Sequence, residues 1–224
     1  MFPLSDSVKS KSLPFVTVGL IVVNVIVFLL QLASPDTFTL QYALTPSHVN
    51  FTNFITLIPF FTAMFLHGGF FHIISNMWFL WIFGDDVEDH FGKVRFLIFY
   101  LAAGIIANFA QYLLQTHSSI PVLGASGAIS GVLGAYYILF PRSKIKTVLV
   151  LVIFVTIIDI PAVIYLFYWF FIQIFSGVAS LSVASNTGGV AFWAHVAGFV
   201  TGLLYANRLK NNTEKNYIEG EIVE

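Results

Sequence analysis

In Gly124-Ala125-Ser126-Gly127-Ala128-Ile129-Ser130-Gly131-Val132-Leu133-Gly134-Ala135-Tyr136-Tyr137-Ile138-Leu139-Phe140, an apolar helix opens near Ser126 and stops at Pro141, since proline blocks continuation. Its small residues share a side. At about 100° per residue, Ser126, Gly127, Ser130, Gly131 and Gly134 fall in an arc of about 140°. A second small-residue pair, Gly198-x-x-x-Gly202, lies in the last apolar run of the chain, and His195 falls within about 60° of it. Small residues let helix backbones approach closely in a bilayer. The two faces can therefore pack together, which carries His195 toward Ser126. A serine and a histidine are costly in hydrocarbon, and polar residues kept there tend to be functional.

The rest of the chain supports a membrane setting. Its 224 residues are 58% hydrophobic and 9% charged, against about 25% charged in a soluble domain. The net charge of −1 gives no reason to expect a nucleic-acid partner. Cysteine is absent, which excludes disulfides, thiolate metal sites and a cysteine nucleophile. Lys9 and Lys11 precede the first apolar run, but that run is too long for a signal peptide and lacks an A-x-A site, so a retained helix is expected.

A span needs about 20 apolar residues. Six segments qualify or nearly do: 13–33, 65–83, 96–115, 126–140, 147–174 and 192–207. The expected fold is an all-α polytopic membrane protein, one six-helix bundle over residues 13–208. Residues 1–12 are expected to be a cytoplasmic tail and residues 209–224 a polar, disordered one. The ten basic residues fall before the first span (Lys9, Lys11), between the second and third (Lys93, Arg95), between the fourth and fifth (Arg142, Lys144, Lys146) and after the sixth (Arg208, Lys210, Lys215). The other loops have none. Six spans with both termini cytoplasmic satisfy the positive-inside rule throughout. Residues 34–64 then lie outside, and their apolar content predicts a segment held in the membrane interface.

This topology starts the second, fourth and sixth spans on the outer side. His72, Asn76, Ser126 and His195 thus reach similar depth from separate parts of the sequence. His72 and Asn76 are four residues apart and share a helix face. From Ser126 to Phe140 is about 22 Å of helix, against a hydrocarbon core of about 30 Å, so Ser126 lies several ångströms below the outer surface. Irregular backbone at that depth, residues 121–125, is tolerated beside protein or a water-filled cavity.

A serine hydroxyl needs a base to take its proton, and His195 is the candidate on the sixth span. A tetrahedral intermediate needs donors aimed at its oxyanion. The Ser126 N–H, the Asn76 amide and a His72 N–H can supply them. No acidic residue lies near the outer end of the adjoining spans, so a Ser–His dyad is expected. Gly124-Ala125-Ser126-Gly127-Ala128 departs from the G-x-S-x-G elbow of α/β-hydrolases.

These residues resemble the rhomboid family of intramembrane serine proteases. The likeness rests on Gly124-Ala125-Ser126-Gly127, on Ala194-His195-x-x-Gly198-x-x-x-Gly202, and on His67-x4-His72-x3-Asn76. The stretch Asn76-Met77-Trp78-Phe79-Leu80-Trp81-Ile82-Phe83-Gly84, with Glu88 and Gly92, is similar to the family's second helix and following turn. The resemblance implies that Ser126 attacks and His195 is the base. It implies an oxyanion hole of His72, Asn76 and the Ser126 N–H, with His67, Gly124, Gly127, Gly198 and Gly202 structural. Substrates would be transmembrane segments of membrane proteins, cut near small or helix-breaking residues, with no metal or cofactor. The chain departs from the pattern twice. Ser130 stands where some members place a tyrosine that stacks on the catalytic histidine, and no Trp-Arg pair occurs in residues 34–64.

Other readings stand beside these. His72 and Asn76 can serve simply to bond helices together. Asp85, Asp86, Glu88 and Asp89 can hold a divalent ion or form a hydrated cytoplasmic turn in which Glu88 ties down backbone; the turn is the expectation. His48, His90 and His117 read as solvated. Asp159, midway along the fifth span and two residues before Pro161, is either hydrogen-bonded near the kink or a proton relay. A catalytically inactive client-binding protein and a transporter are the rivals to a protease. The short chain without a transit peptide or added domain points to a bacterial plasma membrane, with the site opening outward. Nothing in the pattern selects monomer or dimer.

Overall fold

The computed structural model describes residues 1–151, 154–182 and 190–221. The six long helices are α1 (Phe15–Ala33), α4 (Phe70–Phe91), α5 (Lys93–Leu114), α6 (Ser126–Leu139), α7 (Ala162–Ser182) and α8 (Phe192–Glu221). Two short ones, α2 (Asp36–Tyr42) and α3 (Pro59–Thr62), lie in the first long connection. Among the described residues α1, α5 and α7 are long and apolar enough to cross a membrane, and α4 with the bent segment before it makes a fourth. α6 is apolar but shorter. The chain is an integral, multi-pass membrane protein, and its exposed side chains fit that setting. On α1, Val18, Val22, Val25, Ile26 and Leu29 face outward, while Thr17, Leu20, Asn24 and Phe28 form the buried stripe expected of helical periodicity.

α6 is the central helix, packed by α4, α5, α7 and α8, and Gly127 through Tyr136 are buried along it. Its closest partner is α8, because the glycines predicted to meet do meet. A β-carbon on Gly198 would run into the Gly127 carbonyl, and one on Gly202 into the Gly131 carbonyl. From the other side, a β-carbon on Gly134 would strike the Phe199 carbonyl.

α4 starts later and ends later than the expected 65–83. Gly68-Gly69 delays its start, and its acidic last turns are held by backbone donors. Val16 and Thr17 N–H groups donate to Glu88 Oε1 and Oε2 at 3.0 and 2.7 Å, so a buried carboxylate caps the N-terminus of α1, where negative charge is favoured. Lys11 and Ser12 N–H groups donate to Asp89 at 3.1 and 3.0 Å. Glu88 ties down backbone as expected, but the expected hydrated turn is corrected: residues 85–89 lie within α4, and Asp86 and Glu88 are buried.

Three further expectations are corrected. The first is the fifth span. Residues 144–151 and 154–161 pair as antiparallel strands, β2 (Lys144–Leu151) and β3 (Phe154–Pro161), and β1 (Phe2–Asp6) completes a sheet of order β1-β2-β3. The fold is therefore helical with a three-stranded sheet, not all-α. Hydropathy made residues 147–174 look like one span, but Val, Ile and Thr dominate their first half and favour a pleated surface. Ile145 and Thr147 are buried while Lys144 and Lys146 are exposed, the alternation of a half-buried strand. Asp159 is thus not midway along a helix. It stands across from Lys146 in the ladder, an opposite-charge cross-strand position, and Pro161 ends the strand instead of kinking a helix. With the mid-span placement goes the premise of the proton-relay reading.

The second correction concerns residues 1–12, which are not a loose tail. β1 pairs with β2, with Phe2 opposite Val148. The Trp78 indole N–H donates to the Pro3 carbonyl at 2.7 Å, and Phe2 stacks on the Trp78 ring. The third concerns residues 209–221 of the expected disordered tail, residues 222–224 lying outside the described residues. α8 continues to Glu221; extending an existing helix adds one bond per residue without a new nucleus, and no proline interrupts it.

The connection over residues 34–64 is folded. Leu44, Phe60 and Ala63 form a second small core. The Asn108 amide donates to the Phe60 carbonyl at 2.9 Å, and Leu44 bridges Val122 through both backbone groups. Phe51, Phe54 and Ile55 stay outward, the disposition that a segment lying in a membrane interface requires.

Candidate active site

α4, α6 and α8 all begin at one end of the bundle, and the polar residues singled out in the sequence gather there. Ser126 is the first residue of α6. Its Oγ lies 2.7 Å from His195 Nε2. His195 is in the first turn of α8, buried to 8% exposure, and Ala194 before it donates its N–H to Gln111 Oε1 at 3.1 Å. Gln111 on α5 thereby supplies an acceptor to one of the backbone donors that a helix start leaves over.

The approach to Ser126 is built by Gly124. Its φ of +130° lies where side chains are strained. A β-carbon there would sit 2.8 Å from His72 Cε1, 2.9 Å from His72 Nε2 and 3.6 Å from Ser126 Oγ. The gap over Gly124 is therefore shared by the His72 ring and the serine hydroxyl. Gly124→Ala fills that gap and strains the backbone. The expected result is a loss of roughly 100-fold in cleavage rate, the scale of an ångström-sized misplacement, measured with the variant reconstituted beside wild type.

His72 is oriented from behind. The Gly68 N–H donates to its Nδ1 at 3.2 Å, which makes Nδ1 the acceptor and leaves the ring proton on Nε2, the atom that borders the Gly124 gap. Asn76, one turn further along α4, is buried, and its Nδ2 donates to the His72 carbonyl at 2.7 Å. An amide nitrogen carries two hydrogens, and that bond uses one. The Ser126 N–H, at the first position of a helix, is a further donor with no intrahelical acceptor. Chemically, the arrangement is a hydroxyl bonded to an imidazole with neutral donors beside it, the requirements for nucleophilic attack on a carbonyl.

His67 lies before α4, not on it. Its backbone is bound at both ends by one side chain: its N–H donates to Gln31 Oε1 at 2.9 Å, and Gln31 Nε2 donates to its carbonyl at 3.0 Å. Its buried ring meets His72 edge-on, centroids 5.2 Å apart. Its hydrogen bonds to Gln31 thus run through its backbone. Gly127, Gly198 and Gly202 are at the α6–α8 contact described above. Ser130, in place of an aromatic, donates its hydroxyl to the Ser126 carbonyl at 2.6 Å.

Two residues on α7 went unnoticed in the sequence. Gln173 Oε1 lies 2.8 Å from His195 Nδ1. The Trp169 ring lies 6.0 Å from the imidazole, inclined at 32°. Their signal was present: Gln173 is the one amide in an otherwise apolar and aromatic helix.

The Rhomboid domain family matches residues 55–211. The human "Presenilin-associated rhomboid-like protein, mitochondrial" is 32% identical over 133 residues, 58% of this chain and 34% of that protein. The "Putative rhomboid protease YdcA" of Bacillus subtilis (strain 168) is 40% identical over 75 residues, 34% of this chain and 37% of that one. The "Rhomboid protease GluP" of the same strain is 45% identical over 74 residues, 33% of this chain and 14% of that one. The matched region spans about a third of the human protein's length.

Proposed function

The chain belongs to the rhomboid family, and on that premise we propose that it is an intramembrane serine endopeptidase acting on transmembrane segments of other membrane proteins. One observation carries the reading above all: the 2.7 Å contact between Ser126 Oγ and His195 Nε2. The hydroxyl proton passes to Nε2 as Oγ attacks the scissile carbonyl. The oxyanion that forms is met by the His72 Nε2–H, the Asn76 amide and the Ser126 N–H. His195 then gives its proton to the departing amine, leaving an acyl-enzyme on Ser126. Water, deprotonated by His195, releases the acid and restores the serine. No step calls for a metal or a cofactor.

The dyad is supported by two residues from different helices meeting in an apolar surround, and the substrate class by the membrane setting. Substrate helices would enter from the bilayer past α7 and the folded connection over residues 34–64. A bacterial plasma membrane is the proposed setting; the relatives matched include Bacillus proteins and mitochondrial ones alike. The reading is tested by reconstituting the protein in liposomes with a model transmembrane substrate carrying a small, helix-breaking stretch. Wild type is expected to yield two fragments and Ser126→Ala none. Cleavage that survives in Ser126→Ala, or a client that crosslinks to wild type yet stays intact, would overturn it.

The proposal includes an orientation: six spans, both termini cytoplasmic, with Ser126 nearer the outer face. Its support is the confinement of the basic residues to alternate connections. Because the chain has no cysteine, single replacements report the topology cleanly. Ser119→Cys and Lys144→Cys both lie at exposed positions. In intact cells an impermeant maleimide is expected to label the first and spare the second; the reverse pattern would invert the protein in its membrane.

A further inference from the structure

We propose that Gln173 is the positioning residue for His195, in the place where soluble serine proteases use a carboxylate, and that it acts from a helix carrying neither member of the dyad. This inference rests on the reading of Ser126 and His195 as nucleophile and base.

Base catalysis requires Nε2 of His195 to carry a lone pair toward Ser126, which places the ring proton on Nδ1. A buried N–H without an acceptor is destabilising. Gln173 Oε1 stands 2.8 Å from that atom, and both side chains are buried. As Nε2 takes the serine proton, the ring becomes a cation with two N–H donors. The Gln173 carbonyl then accepts a charge-assisted bond, which is stronger than the neutral one. The amide therefore favours the charged form of the base without bringing a charge of its own into a medium where an ion is expensive.

The ring is also held in its plane. Trp169, one turn before Gln173, lies against the imidazole, and one turn after it Gly177 makes room for the Trp193 ring, 3.1 Å from the place of a β-carbon. Trp169, Gln173 and Gly177 follow at intervals of four and form one stripe along α7, meeting the first turn of α8. The brace missing at Ser130 is supplied from a different helix. As a consequence the base is aligned only while α7 lies against α8. A substrate helix that displaces α7 as it enters disarms His195 until α7 returns.

The test uses the full-length purified protein and a fluorophosphonate, with labelling rates at Ser126 measured against probe concentration. Gln173→Leu keeps the volume and removes the acceptor. Gln173→Glu keeps an oxygen in place. Gln173→Leu is expected to lower the maximal labelling rate by about 10- to 100-fold, part of what a positioned base supplies, with the half-saturating probe concentration unchanged and the thermal midpoint lowered by no more than about 10 °C, as loss of a buried acceptor implies. Gln173→Glu is expected to restore the rate to within about three-fold of wild type on the same scale. Gln173→Leu labelling at the wild-type rate, in a protein whose His195→Ala variant does not label, would overturn this inference and leave the functional reading standing. Equal losses in Gln173→Leu and Gln173→Glu would reduce Gln173 to a packing residue and also overturn it. Wild type that fails to label would overturn both.

Discussion

Ser126→Ala and His195→Ala are each expected to lower the rate of substrate cleavage by about a million-fold, with the double variant no worse than either single one. Residues that act as a unit lose their effect together, and removal of a serine nucleophile or its base has that scale in a serine protease. The reason lies in the geometry. Ser126 has one base within reach, at 2.7 Å, and without it the hydroxyl is a poor nucleophile. Ser126→Ala removes one hydroxyl at a helix start, and a thermal midpoint within about 3 °C of wild type is expected, the size of one hydrogen bond's contribution. His195→Ala empties a buried site beside Trp169 and Gln173, and its midpoint is expected to fall by roughly 10 °C. The measurement is cleavage of a labelled transmembrane substrate in liposomes over several decades of enzyme concentration.

Gly202→Val is expected to abolish cleavage with both dyad residues chemically intact. A β-carbon at residue 202 meets the Gly131 carbonyl, with Ala135 N at 2.7 Å and Gly131 C at 2.9 Å. All three are helix backbone atoms and cannot turn aside as a side chain can. α6 and α8 must separate instead, and they carry Ser126 and His195. Overpacking of this kind costs about 1–3 kcal/mol or more, so the thermal midpoint should fall by roughly 10 °C. A Gly202→Val protein that folds and cleaves at the wild-type rate would show that this contact does not set the dyad distance.

The site was more legible in the sequence than the frame around it. Ser126, His195, Gly198 and Gly202 declare themselves because apolar helices make every polar or small residue conspicuous. The glycine faces predicted the α6–α8 contact, which is set by backbone distance and so by residue size alone. Gln173 was equally conspicuous by composition. Its meaning depends on how α7 is turned toward α8, and an angle between two helices is not written in either of them. The fifth span was misread for a different reason. Hydropathy measures the cost of exposure to water, and a Val- and Ile-rich hairpin is as apolar as a helix. The alternation of Lys144, Ile145, Lys146 and Thr147, and the β-branched run after it, carried the distinction. β1 offered less still, since five residues acquire strand structure only when β2 is there to pair with them.

The central claim is that Ser126 is a nucleophile activated by His195, and it can be tested without a substrate. Purified protein in detergent is treated with a fluorophosphonate, beside Ser126→Ala, His195→Ala and a soluble serine protease in the same detergent, and the modified residue is found by mass spectrometry. An adduct on Ser126 in wild type, and in neither variant, is the predicted result. A wild-type protein left unmodified while the soluble protease is fully labelled, or one whose Ser126 reacts as fast without His195, would contradict it.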